Sequence, residues 1–384
     1  MKTIMLLFFL SAYLIVNAQS ITDKANIKSV MDKVNNYQLM NLSKGADYNW
    51  VRGTYYTGVM ACYQATGDKK YLEQCVKWGN DYKWNVPYVM PNSKASGANL
   101  LTCAQTWLEC YMKKKEKKMI APTIAHFMSD TAKNPLTRPL DWYYEGDRYV
   151  DALFVAPPVL AMLYKITGNE KYANWMDSFF WDVYGSLYDR EINLFYRDIR
   201  WSPGYKCGQM PRISSASHQG ARTTYIYQTT AAGKKVIWSR GNGWAFAGLA
   251  RILKYLPKDE ANFKRYEAVF KKMAKSLIER QQEDGYWRPN LDDPNDYPYK
   301  ETSGTGFFVY GLAWGINNGY LNEEEYKPAV VKGWKALYES VGEDGKVQWG
   351  QLGGGSPFVI KQEDSSEFTT GIFLLAASEV YKIY

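Results

Sequence analysis

The 384-residue chain has only 5 cysteines and 2 histidines, His126 and His218. Cys62, Cys75, Cys103, Cys110 and Cys207 form no CxxC pair and no Cys/His cluster with metal-ligand spacing, which argues against a zinc centre and against a Cys–His nucleophile. Their odd number leaves at least one free or paired with another chain. Cys62 to Cys110 fall in apolar helical patterns, where a small buried residue is expected. Long alternating strand patterns are nearly absent, so the fold class is all-α. Beyond the N-terminus no run approaches the roughly 18 to 20 apolar residues of a membrane helix. Linkers are also lacking: there is one Gly-rich patch, Gly353 to Gly355, which favours a single domain.

Aromatic residues, by contrast, are plentiful. They make up 16% of the chain, with 14 Trp and 32 Tyr, and 46% of all residues are hydrophobic. That supplies ample core, with rings to spare for stacking on sugars. The N-terminus reads Met1-Lys2-Thr3, an apolar stretch from Ile4 to Val16, then Asn17-Ala18-Gln19, the pattern of a secretory signal peptide cut after Ala18. The expected organisation is therefore a leader over 1–18 and one domain over 19–384, exported to the periplasm or medium. A formal charge of +8 favours an acidic ligand. The lysine run Lys113 to Lys118 reads as a solvated helix end.

Apolar periodicity predicts helices over Tyr55–Thr66, Leu100–Met112, Leu153–Thr167, Trp244–Tyr255, Phe263–Gln282, Thr305–Asn317, Pro328–Val341 and Thr369–Tyr381. Faint repetition points to stacked helix pairs. Ala65-Thr66-Gly67-Asp68-Lys69-Lys70-Tyr71 recurs as Ile166-Thr167-Gly168-Asn169-Glu170-Lys171-Tyr172, a helix ending at Gly before another that starts with charge and a packing Tyr. Glu283-Asp284-Gly285 recurs as Glu343-Asp344-Gly345. About six hairpins closed into an (α/α)6 barrel satisfy this pattern, with an open superhelix as the alternative.

Asp151 precedes an apolar segment with two prolines, Ala152 to Pro158. It reads either as a helix N-cap or as an acid whose proton affinity is raised by apolar neighbours. The stretch Trp238-Ser239-Arg240-Gly241-Asn242-Gly243-Trp244 offers two ring platforms, a carboxylate-matching guanidinium and an amide, with glycines that would let a ligand approach the backbone. Glu301-Thr302-Ser303-Gly304-Thr305-Gly306 is a second small, polar entry to a helix.

Together with Ala313-Trp314-Gly315-Ile316-Asn317-Asn318-Gly319, these motifs resemble, in order and spacing, those of glycoside hydrolase family 105, the unsaturated rhamnogalacturonyl hydrolases. The resemblance runs from about Trp50 to the C-terminus. It implies an (α/α)6 barrel that removes a 4,5-unsaturated uronic acid from the non-reducing end of lyase-generated oligosaccharides. It implies Asp151 as the residue that protonates C4 and then orients water, with no metal and no cofactor. It further implies Trp50, Asn99, Tyr149, Arg197, Trp238, Arg240, Asn242, Trp244, Thr302 and Ser303 as the substrate-binding set, Arg240 and Arg197 pairing with the C6 carboxylate. The expected partner is an acidic oligosaccharide, not a nucleic acid, nor a membrane once the leader is removed.

This chain departs from the family pattern twice. Asn99 stands where relatives carry a second Asp, and an amide cannot act as a base. A polar stretch from Trp201 to Gly233, with Lys206, Arg212, His218 and Arg222, is an apparent insertion that could build further subsites. Two other readings compete: a glycosidase for saturated substrates, with Glu145, Asp147, Asp198 or Glu301 as the second carboxylate, and a non-catalytic carbohydrate-binding protein.

Overall fold

The computed structural model describes residues 21–45, 48–87, 98–128, 148–202 and 229–384. The expected leader, Cys207, His218, Glu145, Asp147 and most of the 201–233 stretch lie outside these residues.

Helices alternate between two rings. The outer ring is α1 (Lys24–Met40), α3 (Lys69–Asp81), α5 (Ala121–Met128), α8 (Glu170–Leu187), α10 (Phe263–Ile278) and α12 (Glu323–Glu339). The inner ring is α2 (Trp50–Thr66), α4 (Thr102–Lys114), the broken pair α6 (Ala152–Val155) and α7 (Pro157–Thr167), α9 (Ser239–Tyr255), α11 (Thr302–Asn317) and α13 (Glu367–Ile383). The inner helices touch in sequence order, and α13 packs on α2, so the ring is closed and the open-superhelix alternative falls away. Inner helices are apolar nearly all round, as α11 shows by burying every residue from Thr302 to Gly315, because a helix surrounded by helices has no face left for water. Outer α10 instead buries only Phe263, Tyr266, Val269, Phe270, Met273, Ala274, Ser276 and Leu277, one stripe at helical spacing. The closing seam is a glycine contact: a Cβ on Gly58 of α2 would lie 2.2 Å from the carbonyl oxygen of Gly371 in α13.

The repeated sequence turns do what their residues require. Gly67 and Gly168 end α2 and α7 in the left-handed conformation, at φ 71° and 68°, and the tyrosines that follow, Tyr71 and Tyr172, are buried. Gly285 and Gly345 take φ 87° and 95° in the two Glu-Asp-Gly turns. Expected helix limits hold at the C-termini of α2, α7, α9 and α11, miss by two to four residues at those of α4, α10, α12 and α13, and start too late at α2, α9, α11, α12 and α13. One expected helix, Leu153–Thr167, is two: Pro157 and Pro158 remove consecutive N–H donors, and the chain breaks at Ala156. The described strands are the short antiparallel pair β1 (Tyr188–Asp189) and β2 (Leu194–Phe195).

All inner helices point the same way. At one end their N-termini meet, with Trp50 stacked on Phe368 at 5.2 Å and Arg240 reaching Ser303 at 3.3 Å. At the other end Arg251 of α9 reaches Glu109 of α4 at 3.0 Å, and Asn317 of α11 reaches Glu379 of α13 at 2.9 Å. The positive ends of the inner-helix dipoles therefore converge on one face, a setting that favours an anion.

Candidate active site

Asp151 sits at that face, at the start of α6. Its backbone is already helical, at φ −57° and ψ −29°, and its side chain makes no capping bond, so the N-cap reading fails. The side chain is 18% exposed, and Oδ2 is buried without a hydrogen-bond partner. Burial raises its pKa above the ordinary 3.8; the charges of Arg197 and Arg240 oppose the shift without cancelling it.

Arg197 is brought to Asp151 by the β1–β2 hairpin. Asn242 in α9 pins that hairpin, accepting from the Phe195 N–H at 2.8 Å and donating to its carbonyl at 3.0 Å. Two residues on, the Arg197 carbonyl accepts from the Val150 N–H at 2.8 Å, which locks the chain before Asp151 to the chain around Arg197. The Arg197 guanidinium lies 3.4 Å from Asp151 through Nε and 2.8 Å from Asp198 through Nη1, and stands over the Tyr149 ring at 5.4 Å. Asp198 is fully buried and holds Arg200 through two further bonds of 2.7 Å. These bonds and charges outweigh burial and keep its pKa below the usual carboxylate value. Gly355 covers the guanidinium, since a Cβ there would lie 3.0 Å from Arg197 Cζ.

Asn99, in a 3-10 turn before α4, accepts from the Tyr149 hydroxyl at 3.1 Å. Asn99, Tyr149, Asp151 and Arg197 are thus gathered in one place, with Trp50, half-buried, on the same end of the barrel.

The other expected binding residues lie beneath this group. Trp238 and Trp244 are 1% and 3% exposed and are not open platforms. Trp238 donates from Nε1 to Gln351 at 2.8 Å and is covered by Gly241 and by the Arg240 guanidinium, 4.7 Å from its ring centre. Trp244 packs among Phe154, Phe307 and Trp50. The segment is helical from Ser239, and its glycines serve helix packing: a Cβ on Gly243 would strike Phe307 at 2.8 Å. They do not open the backbone to a ligand. Asn242 spends its amide on the hairpin. Thr302 donates to the Gln348 carbonyl at 2.9 Å, and Ser303 donates to Glu301.

Arg240, 1% exposed, directs its fork at the carbonyls of Gln351 and, at 2.8 Å, Leu352. Burial lowers its pKa to about 10. It is committed to the backbone of residues 351–352, and of the two arginines it is Arg197 that stands beside Asp151. Glu301 is fully buried, its carboxylate accepting from the N–H groups of Ser303, at 2.8 Å, and Gly304 as the cap of α11. Neither Glu301 nor Asp198 is available as the second acid of a saturated-sugar glycosidase. Sequence reasoning missed Gln351, which binds Trp238, accepts from Arg240 through its carbonyl and donates to the Ser356 carbonyl at 3.1 Å. Its only signal was proximity to the Gly-rich patch.

Cys62, Cys75, Cys103 and Cys110 are buried, and burial raises their thiol pKa values. Among the described residues no cluster of His, Cys, Asp or Glu could hold a metal ion. No described helix is long and apolar enough to cross a membrane.

Comparison with known proteins agrees with this architecture. Residues 22–211 and 218–384 match the model of Glycosyl Hydrolase Family 88. The chain belongs to this family. It is 34% identical over 356 residues to the Unsaturated 3S-rhamnoglycuronyl hydrolase of Formosa agariphila, covering 88% of this chain and 85% of that one. A solved family 88 glycosyl hydrolase from Bacteroides vulgatus is 30% identical with TM-score 0.78, covering 94% of this chain and 100% of the other. A structure from Salmonella enterica described as a possible member of family GH105 superposes with TM-score 0.74 at 18% identity, over 94% and 95% of the two chains, and shares the fold. The family 105 resemblance in the sequence thus finds a structural counterpart, while the matching family model is that of family 88.

Proposed function

We propose that this family 88 enzyme hydrates the C4=C5 bond of a 4,5-unsaturated uronic acid at the non-reducing end of an oligosaccharide, with Asp151 as the acid. The observation that carries the reading is a carboxyl group with raised proton affinity and an unpaired oxygen, set beside Arg197 where the inner-helix N-termini converge. The substrate double bond is a vinyl ether to the ring oxygen. Asp151 gives its proton to C4, leaving positive charge shared by C5 and the ring oxygen. Water adds at C5 and returns a proton to the Asp151 carboxylate. The resulting hemiketal opens by breaking the bond between C5 and the ring oxygen, which leaves a hydroxyl on C1, and C1 then expels the next sugar as an alcohol.

Arg197 and the helix dipoles attract the C6 carboxylate, which makes the partner an acidic oligosaccharide. The name of the 34%-identical relative, an unsaturated 3S-rhamnoglycuronyl hydrolase, supports a rhamnose next to the uronic acid. The apolar stretch Ile4 to Val16 and the small residue Ala18 support export. The deciding experiment follows the ultraviolet absorbance of the conjugated double bond in lyase-generated oligosaccharides. Its loss with the parent protein and persistence with Asp151→Asn is the expected result; persistence with both, alongside retained sugar binding, would favour a binding protein.

A further inference from the structure

The break between α6 and α7 leaves a bonding problem three residues from the acid. In an unbroken helix the carbonyls of Leu153 and Phe154 would accept from residues 157 and 158, but both are proline. The Leu153 carbonyl is pressed against α9, where a Cβ on Gly248 would lie 2.3 Å from it. The Phe154 carbonyl accepts a 2.8 Å bond from Nε2 of Gln105 in α4. The same residue is tied to the acid itself through its other backbone group, because the Phe154 N–H donates to the Asp151 carbonyl at 3.1 Å. Its ring is wedged at 5.0 Å from Trp244 and 5.4 Å from Phe307.

Gln105 is fully buried and is itself held. Its Oε1 accepts from Nε of Arg251, whose Nη2 donates to Glu109 at 3.0 Å; Glu109 also accepts from the Tyr255 hydroxyl. Burial disfavours the charge on Glu109, but Arg251 and Lys254 more than compensate, so it remains ionised. With Arg251 fixing its oxygen, the Gln105 amide cannot flip, and its N–H must face Phe154.

We propose that Gln105 is a positioning residue for Asp151: by supplying the donor that the two prolines remove, it fixes the short α6 turn and thereby the direction of the acid toward Arg197 and the substrate. The inference rests on Asp151 being the acid of the proposed reaction. Loosening the turn lets the carboxyl drift from Arg197, which weakens the charge that favours its ionised form and misplaces its proton.

The test uses Gln105→Glu, which keeps the shape and an acceptor for Arg251 but cannot donate, and Gln105→Met, which keeps the length without adding charge. Expected for each folded variant, judged by near-ultraviolet circular dichroism, is a kcat at least 10-fold below the parent, a KM within about 2-fold, and a basic limb of the kcat–pH profile displaced upward by about half a unit. A merely structural role would lower Tm and leave that limb in place. A folded variant with the parent's kcat and limb overturns the proposal, as does failure of both variants to fold, which would make Gln105 a stability element. A parent without turnover on any unsaturated oligosaccharide counts against the reaction, not against Gln105. Its effect is then read from the titration of 13C-labelled Asp151 in parent and variant, and an unshifted titration overturns it.

Discussion

Arg197 Nε stands 3.4 Å from Asp151 Oδ2, and among the described residues neither buried atom has a hydrogen-bond partner. A strong structural ion pair would close this gap and lower the carboxyl pKa. Here burial prevails and the proton is held more tightly than in water, while each group keeps a valence for a third party. Asp151→Asn is therefore expected to lower kcat by about 10²–10⁴-fold while carbohydrate affinity persists, measured by absorbance loss and by calorimetry. A variant keeping most of its kcat removes Asp151 from the mechanism.

The same shift gives a pH rule. The acid must be protonated to act, so kcat should fall as pH rises through the folded pKa of Asp151, which lies above 3.8. For stability the sign is that of a raised group: the contribution of the protonated carboxyl is fully present below its unfolded pKa and is lost as pH rises through the folded one. Asp151→Asn should thus have a Tm at or above that of the parent at pH 7, with the difference shrinking in acid. A neutral-pH Tm clearly below the parent's would mean that the ionised carboxylate stabilises the fold.

Arg240→Lys retains a charge but loses the planar fork that meets Gln351 and Leu352. Orphaning those carbonyls is expected to cost about 3 kcal/mol in denaturant unfolding and to raise KM by loosening the 351–352 segment beside Asp151 and Arg197. Unchanged stability with a raised KM would return Arg240 to direct contact with substrate.

Asn99→Asp probes the position where the chain departs from the family 105 pattern. Since the Tyr149 hydroxyl bonds Asn99 Oδ1 at 3.1 Å, an Asp can accept the same bond, and in the proposed mechanism Asp151 alone handles proton and water. The rate should change by less than about 10-fold, or 1.4 kcal/mol. An inert parent rescued by this one substitution would show that a second carboxylate is needed.

At the seam, Gly58→Ala places a methyl 2.2 Å from the Gly371 carbonyl oxygen. Separating two packed backbones is expected to cost about 3 kcal/mol, read as a lower denaturant midpoint. A neutral substitution would show that α2 and α13 can slide apart freely.

The ring of hairpins was legible because its signals are local: Gly67 and Gly168 end helices, and the buried Tyr71 and Tyr172 follow them. Asp151 was legible through its apolar sequel. The split at Ala156 was written in Pro157 and Pro158 but hidden by unbroken apolar periodicity across them. The tryptophans misled for a different reason. An aromatic beside Gly reads equally well as a sugar platform or as a ring lying on a neighbouring helix, and only the tertiary approach of Phe307 to Gly243 decides between them. No local pattern reveals what Gln351 and Gln105 do; what gives them meaning is a partner more than forty positions away, as with Phe154 for Gln105.

The seam also determines when this molecule can exist. Arg52 and Glu367 form a buried ion pair across 315 positions, and Phe368 lies under Trp50. A growing chain can lay down its hairpins one after another, yet until α13 arrives they form an arc with two bare apolar edges. Closing so long a loop is slow. A chain cut short before residue 367 would be expected to clump rather than work at reduced capacity, so competence is conferred at a stroke, when α13 closes the ring.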